Sequence, residues 1–149
     1  MTLTIIGPGH SVGGAVVQAG DFLEISGGSA VDAVVFAIGQ EYVSSGGTTT
    51  GTTLIGGYEN LSGGGTATGT TIELAGAEVV YSGGVAISTH IGTGIEQVFA
   101  GGSAIDAVVS SAGQQLVYSG GTAIGTTLSS NAVQNVYNGG TASNTVLLR

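Results

Sequence analysis

The chain has 149 residues, a formal net charge of −8, only 7% charged residues and no cysteine. Ordinary soluble domains carry about 25% charge, and here Arg149 is the only lysine or arginine. Neutralisation of phosphates has no source, which excludes nucleic acid and an anionic membrane surface as partners; disulfides and thiolate metal sites are excluded with the cysteines.

Taken from the start, MTLTII reads as a strand and has neither the basic start nor the long apolar core of a signal peptide. If the protein is exported, its export signals lie outside this chain. Glycine marks then recur. Gly9 is followed by the doublets Gly27-Gly28, Gly46-Gly47, Gly64-Gly65, Gly83-Gly84, Gly101-Gly102, Gly120-Gly121 and Gly139-Gly140. A fixed period of 18 to 19 residues makes each repeat one small structural unit. A second mark precedes the doublets at Gly20, Gly39, Gly57, Gly76, Gly94 and Gly113, so each period reads as two arms. The arms alternate and favour Val, Ile, Thr and Tyr, which suit a pleated, half-buried surface. Helical spacing is absent, and no stretch is apolar for long enough to cross a membrane as a helix.

Stacking the periods exposes columns. Ile6, Val43, Leu61, Val80, Val98, Val117 and Val136 stand three residues before each doublet, with Glu24 breaking the series. Val17, Val35, Leu54, Ile72, Ile91, Val109, Leu128 and Leu147 form a second aliphatic column. Val12, Ala30, Thr49, Ala67, Ala86, Ala104, Ala123 and Ala142 form a small one. No single turn can bury its own face, so neighbours supply the other side. The expected fold is all-β: a single right-handed parallel β-helix, or β-solenoid, spanning 1–149, with about seven to eight rungs. At roughly 4.8 Å per rung it stands about 35 Å tall.

YSGGTAIGTTLSSNAVQNVYNGGTASNTVLL carries the doublet, an Ala three residues on, a Thr-x-Val or Thr-x-Leu pattern and a Gln/Glu-x-x-Val approach to the next doublet. This segment resembles the glycine-rich 19-residue repeats of AIDA-type self-associating autotransporter adhesins, and the resemblance extends over nearly the whole chain. It implies a passenger used in adhesion, aggregation and biofilm formation, secreted or displayed on the bacterial outer surface. The family's export signal and C-terminal membrane barrel are not in this sequence, which implies a fragment of a longer passenger or a stand-alone relative. The resemblance also implies O-linked sugar, added by a glycosyltransferase, on the serine before the doublet: Ser26, Ser45, Ser82 and Ser119. Gly63, Ala100 and Asn138 interrupt that series.

Candidate sites are few. Tyr81, Phe99, Tyr118 and Tyr137 share a column next to the buried valines and therefore face outward. They are the expected adhesive surface, since tyrosine gives large contact area at low entropy cost; the alternative is a ladder that only stabilises the stack. Glu41, Glu59, Glu78 and Glu96 form an acidic ladder continued by Gln115 and Gln134. Parity puts it on the valine side, where like charges about 5 Å apart repel by roughly 3 kcal/mol at an effective dielectric near 20. Its rung spacing approaches the roughly 5 Å of retaining glycosidase pairs, yet the column repeats like the scaffold and reads as structural. Asp32 and Asp106 sit where other rungs have Gly51, Gly69, Ser88, Gly125 or Asn144, and read as turn residues. His10 and His90 are far apart and have no companion ligand at metal spacing. Thr52, Thr53, Thr70, Thr71, Thr126 and Thr127 read as a second surface, interrupted by Val34, His90 and Val108. Asn60-Leu61-Ser62 matches an N-glycosylation acceptor only as a short motif.

These features point to a non-enzymatic contact module with no cofactor, no metal and no catalytic residues. Its partner is another copy of itself or a host or matrix surface. The alternatives are a subunit of an end-to-end solenoid fibre, suggested by termini without polar caps, and a polysaccharide-acting β-helix enzyme. The enzyme would need a basic residue beside clustered acids, and the one arginine is the last residue.

Overall fold

A computed structural model describes residues 1–110 and 112–148; Arg149 lies outside them. Each rung contributes three strands, so three parallel sheets of eight strands run along the stack. The fold is a parallel β-solenoid of about eight turns. The first sheet holds Leu3–Ile6, Phe22–Ser26, Gln40–Ser44, Tyr58–Leu61, Ala77–Val80, Ile95–Val98, Gln114–Val117 and Val133–Val136. The second begins with Ser11–Gly13 and Ser29–Val31, and the third with Val16–Val17 and Val34–Phe36.

Three strands per rung correct the two-arm reading of the glycine marks. The third corner lies between the second and third sheets, at Gly14, Asp32, Gly51, Gly69, Ser88, Asp106, Gly125 and Asn144. All eight residues have positive φ, including Asp32 at 54° and Asp106 at 56°. Asp and Asn tolerate this left-handed conformation better than most side chains. Glycine is therefore not required at this corner, which hid it from a glycine count. Both aspartates are the turn residues their column implies.

The doublet corner does require glycine, for two reasons. Gly83 has a φ of 76°, and a Cβ on Gly84 would lie 2.5 Å from the Leu61 carbonyl oxygen of the preceding rung. The first glycine supplies conformation and the second supplies room.

The columns run inside through the middle rungs, but Val136 and Leu147, expected inside, are 45% and 72% exposed, because their strands are sheet edges with a neighbour on one side only. Val35, Leu54, Ile72, Ile91 and Val109 face Val43, Leu61, Val80 and Val98 across Ala30, Ala67, Ala86 and Ala104, and none is more than 1% exposed. Small residues on the second sheet let the other two approach. One column needs correction: Glu24 does not interrupt it. Ile25 pairs with both Ile6 and Val43, while Glu24 pairs with Ile5 and Tyr42. The corner after Ile25 is one residue shorter than the corner after Val43, so counting back from the doublet misplaced this rung.

Candidate functional site

Strand alternation sends two columns of the first sheet outward. One runs Phe22, Gln40, Tyr58, Ala77, Ile95, Gln114 and Val133; the other runs Tyr42, Asn60, Val79, Gln97, Leu116 and Asn135. Just past the strand ends, Tyr81, Phe99, Tyr118 and Tyr137 add a third. This face gathers all five tyrosines and two of the three phenylalanines of the chain. From Gln40 onward, the three outward columns contain no charged side chain. The repeat columns point to the last aromatic column, and the structure adds Phe22, Tyr42 and Tyr58 to the same face. The sequence carries the signal, because Tyr42 adjoins inward Val43 and must point the other way.

The rings form a continuous stack. Tyr81 and Phe99 have centroids 5.5 Å apart, Phe99 and Tyr118 4.6 Å, and Tyr118 and Tyr137 4.9 Å, with interplanar angles of 11°, 3° and 9°. Phe22 and Tyr42 stack less closely, at 6.2 Å. The solenoid rise matches ring stacking, so each pair adds about 0.5–1.5 kcal/mol beyond burial. Within the stack, ring faces are occupied by neighbouring rings, and edges and hydroxyls remain for a partner. Tyr81 and Tyr137, at the stack ends, are 44% and 46% exposed. Gln97 Nε2 donates to the Tyr118 hydroxyl at 3.5 Å, and the Tyr42 hydroxyl donates to Gln40.

The acidic ladder lies inside. Glu41, Glu59, Glu78 and Glu96 are each 0% exposed and stack in register. Their partners come from the threonine column expected at the surface. Thr52, Thr70 and Thr126 are buried, at 1% exposure, and only Thr53, Thr71 and Thr127 of that group turn outward. The expected threonine surface is therefore corrected to one outward column and one inward one: Thr52 stands two residues before inward Leu54, so alternation turns both to the same side. Thr52 Oγ1 donates to Glu41 at 3.2 Å, Thr70 to Glu59 at 2.8 Å and Thr89 to Glu78 at 2.7 Å. Thr49 from the second sheet donates to the other Glu59 oxygen at 2.6 Å. Glu96 faces Ala107 instead, and receives Gln115 Nε2 at 2.5 Å. Burial is the largest influence on all four carboxyls and raises each above its ordinary value near 4.5, with Glu41 and Glu78 raised furthest. The neighbouring glutamates push Glu41 and Glu78 up further by repulsion, and the threonine hydrogen bonds oppose the rise.

Sealed inside, the ladder cannot reach a polysaccharide, which removes the catalytic-pair geometry. His10 and His90 are exposed on separate rungs, and no group of three His, Asp or Glu among the described residues could hold a metal ion. Ser45, Ser82 and Ser119 are exposed beside the doublet, whereas Ser26 is half-buried. Ser26 pairs with Ser44, so the short corner takes it out of the Ser45 column.

Residues 98–149 match a family model described as "Adhesin of bacterial autotransporter system, probable stalk". That part of the chain is similar to AIDA-type passenger repeats. Among solved structures, the chain is similar to the crystal structure of a TibC-catalysed, hyper-glycosylated TibA fragment. The two are 25% identical with a TM-score of 0.61, over 98% of this chain and 75% of that one. No curated protein matches the chain. The AIDA-type match covers the Phe99–Tyr118–Tyr137 stack, where rings, doublets and inward valines repeat in their clearest form.

Proposed function

We propose that this chain is a non-enzymatic stalk segment of a cell-surface autotransporter adhesin. Its outward aromatic face on the first sheet makes the contacts, with copies of itself or with a host or matrix surface. The observation that carries this reading is the concentration of every tyrosine on one face with no charge from Gln40 onward, in a chain whose net charge is −8. Exposed acids elsewhere, such as Asp32 and Asp106, repel a second copy; this face lets two chains approach without opposing carboxylates. Tyr81, Phe99, Tyr118 and Tyr137 form its ordered centre, because stacking fixes the rings before a partner arrives and lowers the ordering cost of contact.

The similar TibA fragment is hyper-glycosylated by TibC, which supports a glycosyltransferase as a further partner. Ser45, Ser82 and Ser119 are the proposed acceptors, being exposed at a corner of the solenoid. Ser26 is the weakest acceptor of the four serines because it is half-buried and out of register.

The test displays the chain on cells or beads and measures aggregation and attachment to matrix-coated surfaces. Replacing Tyr81, Phe99, Tyr118 and Tyr137 together with serine is expected to abolish both, with the β-sheet circular dichroism retained. Undiminished aggregation by this folded variant would sink the assignment.

A further inference from the structure

The interior of the solenoid holds four carboxyl groups and, among the described residues, no cation. The elements packed against Glu41, Glu59, Glu78 and Glu96 present Thr49, Thr52, Thr70, Thr89, Ala67, Ala86, Ala104 and Ala107, none of which titrates. Along the column the nearest polar groups are Gln115 and Gln134, also neutral. The remaining acids, Asp21, Glu24, Asp32, Glu73 and Asp106, all lie outside the core. Four unpaired buried carboxylates in a column are not sustainable, because such groups neutralise by holding protons.

The hydrogen-bond pattern indicates where the protons reside. Glu59 accepts from threonine at both oxygens and behaves as a carboxylate. Glu96 accepts from the Gln115 amide, which can only donate at that end. Glu41 and Glu78 each accept one threonine hydroxyl and leave Oε1 buried with no donor aimed at it. An Oε1–H at those positions would turn two orphaned acceptors into donors, toward the carboxylates one rung away. Glu78 stands in register with Glu59 on one side and Glu96 on the other, and Glu41 with Glu59. The free Glu96 Oε1 is then the acceptor that Glu78 requires. Gln115 and Gln134 show the same chemistry in permanent form: Gln134 Nε2 donates to Gln115 Oε1 at 2.7 Å, and Gln115 Nε2 donates on to Glu96.

We propose that the glutamate column is a proton-holding spine, in which Glu41 and Glu78 are carboxylic acids hydrogen-bonded to the carboxylates of Glu59 and Glu96. Folding then takes up one proton for each of Glu41 and Glu78 from the solvent, and unfolding returns them. The solenoid is reinforced by acid and loosened by alkali, although its surface is strongly acidic.

Two measurements on the intact chain test this. Unfolding by denaturant in weakly buffered solution at about pH 6–7 is followed with a pH indicator, and release approaching one proton each from Glu41 and Glu78 is expected. Glu78→Gln should release about one proton fewer, because its amide keeps the donor without a titrating group. Asp106→Asn, at an exposed corner, should release as many as the parent. No release by the parent, or undiminished release by Glu78→Gln, would overturn the proposal. Should Glu78→Gln fail to fold, infrared spectroscopy of the parent decides instead. A carbonyl band of protonated carboxylic acid at neutral pH, lost on unfolding, is expected, and its absence from the folded protein overturns the proposal.

Discussion

Thr70 Oγ1 donates to Glu59 Oε2 at 2.8 Å across the interior of the solenoid, although the two residues belong to different sides of the rung and stand 11 positions apart. The same separation joins Thr52 to Glu41, Thr89 to Glu78, Thr126 to Gln115 and Thr145 to Gln134. Where the first sheet offers Leu23, the facing residue is Ala33. A polar residue on one side is met by a hydroxyl on the other, and an apolar residue by a methyl. Glu96 opposite Ala107 is the exception, and Gln115 of the next rung compensates.

Removing one such donor should be costly. Thr70→Val keeps the shape but leaves Glu59 Oε2 without its hydroxyl, and a hydrogen bond to a charged group contributes about 1.5–3 kcal/mol. Thermal or urea melts at neutral pH should show a loss of that order, with Thr70→Ser recovering much of it. Equal stability of Thr70→Val and the parent would mean that the bond contributes nothing.

The acidic column fixes the sign of the pH response. Glu41, Glu59, Glu78 and Glu96 all have folded values raised above about 4.5, so the folded chain keeps protons that the unfolded chain has released. Their contribution is fully present below about pH 4.5 and is lost as pH rises through the folded values. Melting temperature should therefore fall from mildly acidic to alkaline pH. Replacing all four with glutamine should raise it at neutral pH and flatten the profile, and parent melts independent of pH would contradict this.

Inside and outside can be separated by two substitutions. Val98→Asp places an unpaired charge at a site that is 0% exposed, and such a burial costs about 3–5 kcal/mol or more, comparable to the stability of a small domain. The variant should be unfolded or aggregated by circular dichroism. Tyr118→Ser removes two stacked contacts, worth together about 1–3 kcal/mol. It should still fold at reduced melting temperature while self-association, measured by sedimentation, weakens.

Two glycines separate room from conformation. Gly84→Ala pushes a methyl against the Leu61 carbonyl oxygen and forces adjacent rungs apart, so a loss of more than about 2 kcal/mol is expected. Gly69→Asn should be nearly neutral: its φ of 70° suits Asn, no atom lies within 4 Å of its Cβ site, and Asn144 already occupies the equivalent corner. Denaturant midpoints of the two variants check the contrast, and a severe loss from Gly69→Asn would remove the conformational account of that corner.

The period, the parallel stack, the aliphatic columns and the inward direction of the glutamates were all legible in the sequence. Each rests on a single rule: in a solenoid, one residue type repeated at 18 or 19 positions becomes one column, and alternation decides its side. That rule holds within a strand and says nothing about how a corner closes. Only the tertiary structure revealed the third strand of each rung, because Asp32, Ser88, Asp106 and Asn144 adopt there a conformation that glycine would have advertised. The short turn after Ile25 shifted Glu24 and Ser26 out of the columns assigned by counting from the doublet. Contacts across the rung depend on how three corners bring distant sides together. The pairing of Thr70 with Glu59 followed from that closure, and the face-to-face stacking of Phe99 on Tyr118 from a rise that matches ring spacing.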